Sequence, residues 1–130
     1  MRVTVLALLV PALLGSAGGL ALAEPVGEAT RVQRFAYQTP PQAGQAPLYR
    51  LDPVVRNAKL ETVPSGALEV TFTDGSRLTL GSASSVVVDN YVYGGGQNNQ
   101  TLKMTRGVFR FVSGSMPKDQ VKLRTPSVTI

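Results

Sequence analysis

The chain has no cysteine, no histidine and no tryptophan. Lack of cysteine excludes a disulfide framework, a thiolate zinc site and a lipid anchor on cysteine, so an apolar core has to hold the fold. Lack of histidine removes Ser-His-Asp and Cys-His nucleophilic catalysis, imidazole metal ligation and the usual general base near neutral pH. Charge is sparse, at 16% of residues, and aromatic residues make up only 6%. After the N-terminal apolar run, no segment keeps a helical apolar period over the roughly ten residues that a helix would need.

What is present is turn chemistry. Thirteen Gly and nine Pro punctuate 130 residues, 43% of which are apolar. This profile predicts one all-β domain, a compact β-solenoid or sandwich of short, mostly antiparallel strands joined by Gly, Pro and Asp turns.

The N-terminus is read separately. Arg2 precedes an apolar run interrupted by Pro11, and small residues lead to Ala21-Leu22-Ala23, the pattern of a Sec-type bacterial signal peptide over residues 1–23. Cleavage is expected between Ala23 and Glu24. An uncleaved anchor is the alternative, opposed by Pro11, three Gly and a short apolar core. The domain would then occupy residues 24–130, periplasmic or secreted, with no stable membrane span left. The formal charge of the whole chain is +5, of which Arg2 supplies one unit.

The clearest local signal surrounds Asp74-Gly75. Leu68, Val70 and Phe72 alternate with polar residues on one side of the turn, and Leu78 and Leu80 do so on the other. A two-residue loop would pair Phe72 with Arg77 and mix apolar with polar residues on each face. A three-residue loop, Thr73 to Gly75 with Gly75 left-handed, pairs Val70 with Leu78 and Leu68 with Leu80, and is the predicted register.

Upstream, weak alternation over residues 30–37 predicts an outer strand, and residues 39–47 a Pro- and Gln-rich loop. Short strands are expected at 48–51, 54–55 and 59–63. Downstream, Val86, Val87 and Val88 predict an internal strand buried on both faces. Gly94, Gly95 and Gly96 open a connector that lacks the helix a phosphate cradle requires. Strands follow at 101–106 and 108–112, separated by Gly107, with Phe109 and Phe111 on one face of the second, Val108, Arg110 and Val112 on the other, and one of the two faces core. A further strand is expected at 121–124, and Ser127 begins one more.

Four stretches together resemble the FecR domain of exported bacterial proteins: residues 72–81 (Phe-Thr-Asp-Gly-Ser-Arg-Leu-Thr-Leu-Gly), 86–93 (Val-Val-Val-Asp-Asn-Tyr-Val-Tyr), 107–114 (Gly-Val-Phe-Arg-Phe-Val-Ser-Gly) and 121–130 (Val-Lys-Leu-Arg-Thr-Pro-Ser-Val-Thr-Ile). The best match runs over residues 66–130, and the domain is expected to be incomplete at its C-terminus. The resemblance implies an all-β domain outside the cytoplasm that acts as a binding or regulatory module in envelope sensing or signalling. It carries over no catalytic residue and no cofactor, and with a signal peptide at the start no cytoplasmic anti-sigma segment is expected before the domain. Asp74, Gly75 and Gly107 are read as residues that shape turns.

A non-enzymatic module with an envelope protein or cell-surface component as partner is therefore the expected function. The alternative is a structural or surface-assembly module of a larger exported protein. Carboxylate chemistry has only Glu61, Glu69, Asp74 and Asp89 to draw on in the strand region, and solvation and turn formation account for them. Lys103, Arg106, Arg110, Lys122 and Arg124 could form one basic stripe across neighbouring strands, but the charge excess is modest and export argues against nucleic acid.

Overall fold

A computed structural model describes residues 24–126. The predicted signal peptide, Ala23 of the cleavage junction and residues 127–130 lie outside this range. Eleven strands occur in the order β1 (Pro25–Gln33), β2 (Ala36–Thr39), β3 (Ala46–Pro47), β4 (Pro53–Val55), β5 (Lys59–Thr62), β6 (Ala67–Phe72), β7 (Arg77–Leu80), β8 (Ser85–Val92), β9 (Asn99–Arg106), β10 (Phe109–Val112) and β11 (Val121–Arg124). A 3-10 turn at Lys118–Gln120 precedes β11.

The strands form two sheets, one in the order β10-β7-β6-β1-β4 and the other in the order β11-β9-β8-β5-β2-β3. Alternation dictates the packing: Leu68, Val70, Phe72, Leu78 and Leu80 of the first sheet and Leu60, Val86, Val88, Leu102 and Met104 of the second are buried in one core. Of the two alternatives left by the sequence, this is the sandwich. All strand pairs are antiparallel except β9 with β11, which are parallel because the chain passes through β10 in the opposite sheet between them.

The hairpin register is as predicted, with Leu68 opposite Leu80 and Val70 opposite Leu78. The Phe72 and Gly75 backbone N–H groups donate to Ser76 O and Phe72 O, and Gly75 has φ 89°. β8 is internal, between β5 and β9, but only Val86 and Val88 are fully enclosed. Val87 is half-buried, because a sandwich strand has one face toward the core and one outward. The glycine-rich connector closes the β8–β9 hairpin, in which Val92 pairs with Asn99, so β9 starts two residues earlier than expected.

Two expectations are corrected. Residues 30–37 are not one strand: the chain leaves β1 at Gln33, turns at Arg34 with φ 63°, and enters the opposite sheet as β2. Residues 48–51 are a turn rather than a strand. Asp52 Oδ2 accepts the Tyr49 N–H at 2.8 Å, Leu51 adopts φ 75°, and the segment carries the chain back between the sheets. Both strand-like patterns are spent on crossings that alternation does not reveal.

Candidate functional site

Asp74 is buried, 4% exposed, although it occupies a hairpin loop. Its Oδ1 accepts hydrogen bonds from the Ser76 N–H (3.1 Å), the Ser76 hydroxyl (2.7 Å) and the Tyr91 phenol (3.0 Å). The phenol oxygen in turn accepts the Asp74 N–H at 2.9 Å, and Thr73 Oγ1 lies 2.9 Å from it. The Tyr91 ring stacks on Phe72 with centroids 5.3 Å apart. Burial raises the Tyr91 phenol above its ordinary 10.0, with Thr73 and the Asp74 backbone opposing the shift and the Asp74 charge adding to it.

This cluster holds a second segment. Ser115 N–H donates to Asp74 O at 2.8 Å, Met116 N–H reaches Asp74 Oδ2 at 3.4 Å, and the Met116 side chain is buried. Gly114 lies so close over the turn that a Cβ there would stand 2.4 Å from Asp74 O and from Ser76 N. The Asp-Gly turn is thus the clasp that fixes the β10–β11 connection. Gln100, fully buried, extends the cluster by donating to Ser76 Oγ at 3.4 Å. Sequence reasoning missed Ser76, Tyr91 and Gln100, yet running the 102, 104 alternation back by two places Gln100 on the inward face.

At the other end of β10, Gly107 has φ 97° and leaves no room for a Cβ beside Ser84. The Ser84 hydroxyl accepts the Val108 N–H at 2.9 Å, which ties the crossing from β9 to β10. Gly75 and Gly107 therefore act as turn residues in this structure.

The connection fixed by these two anchors shapes an opening. β10 and β11 are the edge strands at the same end of the two sheets, and their inward residues Phe109, Phe111, Val121 and Leu123 are only partly buried against the core. Phe111, Ser113, Lys118, Val121 and Leu123 line a cavity of about 300 Å³ between the two strands. Each edge leaves backbone donors and acceptors without a neighbouring strand among the described residues.

The five basic residues do not form one stripe. Lys103 and Arg124 are register partners on β9 and β11, with Lys122 on the same outward face. Arg106 lies at the end of β9, 4.0 Å from Glu61 Oε2. Arg110 stands on the other sheet, opposite Thr79, where it shares a small recess with Glu69 and Arg77. The chain changes sheet at Gly107, so neighbours in sequence face opposite sides of the sandwich.

The carboxylates are dispersed in the same way. Glu61 and Glu69 stand on outward faces of opposite sheets, Asp89 is exposed at a bulge in β8, and Asp74 is engaged as described. Glu61 is taken up by Lys59 at 3.6 Å and by Gln45 at 3.0 Å, and Glu69 Oε1 by Thr30 at 3.0 Å. Among the described residues, no group of three or more Asp and Glu is placed to hold a metal ion.

Two sheets with one open end, anchored by turns, define a β-sandwich domain. A family model described as FecR protein matches residues 58–130, more than half of the chain, and the chain belongs to that family. The family is a regulatory, signalling one, connected with the cell envelope. Its match starts eight positions before the expected 66 and so takes in β5, the partner of β8. No curated protein and no solved structure matches the chain.

Proposed function

We propose that this is an exported FecR-domain protein that works by binding, without catalysis, in envelope sensing or signalling. We infer further that the β10–β11 opening is where it receives an extended segment of a partner protein. The observation that carries the reading is the pair of edge strands, one from each sheet, over an incompletely filled apolar mouth. A partner strand can take main-chain hydrogen bonds from an edge while its alternate side chains enter the mouth beside Phe111 and Leu123. Lys118, which lines the mouth, favours an acidic segment.

Export is supported by the signal-peptide pattern. β1 begins at Pro25, so a cut after Ala23 would remove no strand residue.

A photo-crosslinking residue at Val112, with a second at Thr71 on the outward face of β6 as control, tests the binding surface in cells. The expected result is a discrete envelope-protein adduct from position 112 alone, lost on Leu123→Ser while thermal unfolding still shows a folded domain. Equal crosslinking from both positions would refute the assignment.

A further inference from the structure

The end of the sandwich opposite the β10–β11 opening carries a different surface. There the chain crosses between sheets twice, at residues 33–36 and 47–52. The Leu48 N–H to Ala36 O bond at 2.9 Å ties the two crossings together, and the Leu51 N–H to Ala29 O bond at 2.6 Å ties the second to β1. Three large apolar side chains project from this corner: Phe35, 62% exposed, Tyr49, 65%, and Leu51, 57%. At that exposure none of them can line a groove, so they form a convex set. Arg34 and Arg50 lie beside them, both exposed, and neither forms an ion pair among the described residues. The nearby Asp52 carboxylate is turned to the loop itself, where it accepts the Tyr49 N–H.

The backbone adds an independent observation. Arg34 and Leu51 sit at φ 63° and 75°, a left-handed conformation that bulky L-residues adopt at a cost. Leu51 gains little burial in return. Glycine would relieve the strain, so the fold itself does not call for leucine there. Asp52, the buried Leu48 and the two cross-ties fix the turn, so the exposed side chains are presented on an ordered backbone.

We propose that this corner docks on an anionic lipid surface. Convex apolar side chains need a medium they can penetrate, and the interface of a bilayer accepts Phe, Tyr and Leu at headgroup depth. Unpaired Arg34 and Arg50 complement lipid phosphates, and charge and insertion reinforce one another. The inference does not depend on the β10–β11 reading, because the two surfaces lie at opposite ends of both sheets.

Co-sedimentation of the chain from residue 24 onward with phosphatidylglycerol and with phosphatidylcholine vesicles tests it, once circular dichroism has shown that this chain folds. The expected result is retention on phosphatidylglycerol only, weakened by salt. Arg34→Ala with Arg50→Ala should remove the salt-sensitive part. Leu51→Gly should lower retention roughly tenfold while raising the unfolding temperature, since it relieves the left-handed strain. Absence of retention on phosphatidylglycerol overturns the proposal. So does equal retention of the Leu51→Gly and unmodified chains, or binding to soluble polyglutamate but not to vesicles, which would assign the corner to an acidic protein.

Discussion

Asp74 accepts hydrogen bonds through both carboxylate oxygens from Ser76, Tyr91 and Met116. Asp74→Asn puts an amide donor against groups that are themselves donors, and should cost about 1–3 kcal/mol of stability, read as a lower urea midpoint at unchanged slope. Tyr91→Phe keeps the stack on Phe72 but strands the buried Asp74 N–H, at a loss of similar size, ~1–3 kcal/mol. The double variant should lose less than the sum, because both changes break one network. Tyr91 also gives a pH signature. Its folded value is raised above 10.0 by burial, so as pH climbs past 10.0 the unfolded chain releases a proton that the folded chain still holds. The contribution is intact below 10.0 and is lost progressively as pH rises from there through the raised folded value. The stability difference between the parent chain and Tyr91→Phe should therefore shrink as pH rises past 10.0, measured by urea titration at alkaline pH.

At the scale of elements, the three-residue loop between β6 and β7 sets which side of β7 is core. Inserting one residue between Arg77 and Leu78, just past that loop, would shift the register by one from there on, turning Leu78 and Leu80 toward solvent. The chain should then lose cooperative unfolding altogether, seen in thermal melts followed by circular dichroism. Docking of the β10–β11 connection on the turn is a separate matter. Gly114→Ala places a methyl against backbone atoms of residues 74 and 76 and should cost ~1–3 kcal/mol. It should also raise amide exchange at Ser115 and Met116 before it raises exchange in β6, since the clasp opens locally while the hairpin persists. Uniform exchange in both segments would show that the clasp is inseparable from the hairpin.

For the whole molecule, the ends of the sandwich are chemically distinct. Among the described residues, one end has two edges without a neighbouring strand over an apolar mouth with Lys118 at its rim, and the other a convex corner of Phe35, Tyr49 and Leu51 with arginines that form no ion pair. Changes at one end should leave the other untouched: Leu51→Gly should preserve crosslinking from position 112, and Leu123→Ser should preserve vesicle retention, since the sites share no contacts. Export should yield a chain that starts at Glu24, checked by N-terminal sequencing of the protein from a periplasmic or culture fraction. Composition and alternation by themselves determined the all-β class and the β6–β7 register, because a period of two and a glycine in a tight turn are local properties of the chain. The places where the chain changes sheet were not legible in this way: residues 33–36 and 47–52 keep a strand-like composition while turning, and only their partners fix where they go. The same is true of the basic residues, which one crossing at Gly107 divides between two faces. Asp74 shows the limit most directly, since its solvated look as a turn residue is local while its burial comes from Tyr91, Ser115 and Met116, between seventeen and forty-two positions away. Tertiary structure alone decided what covers that carboxylate, because burial depends on which distant segments pack together.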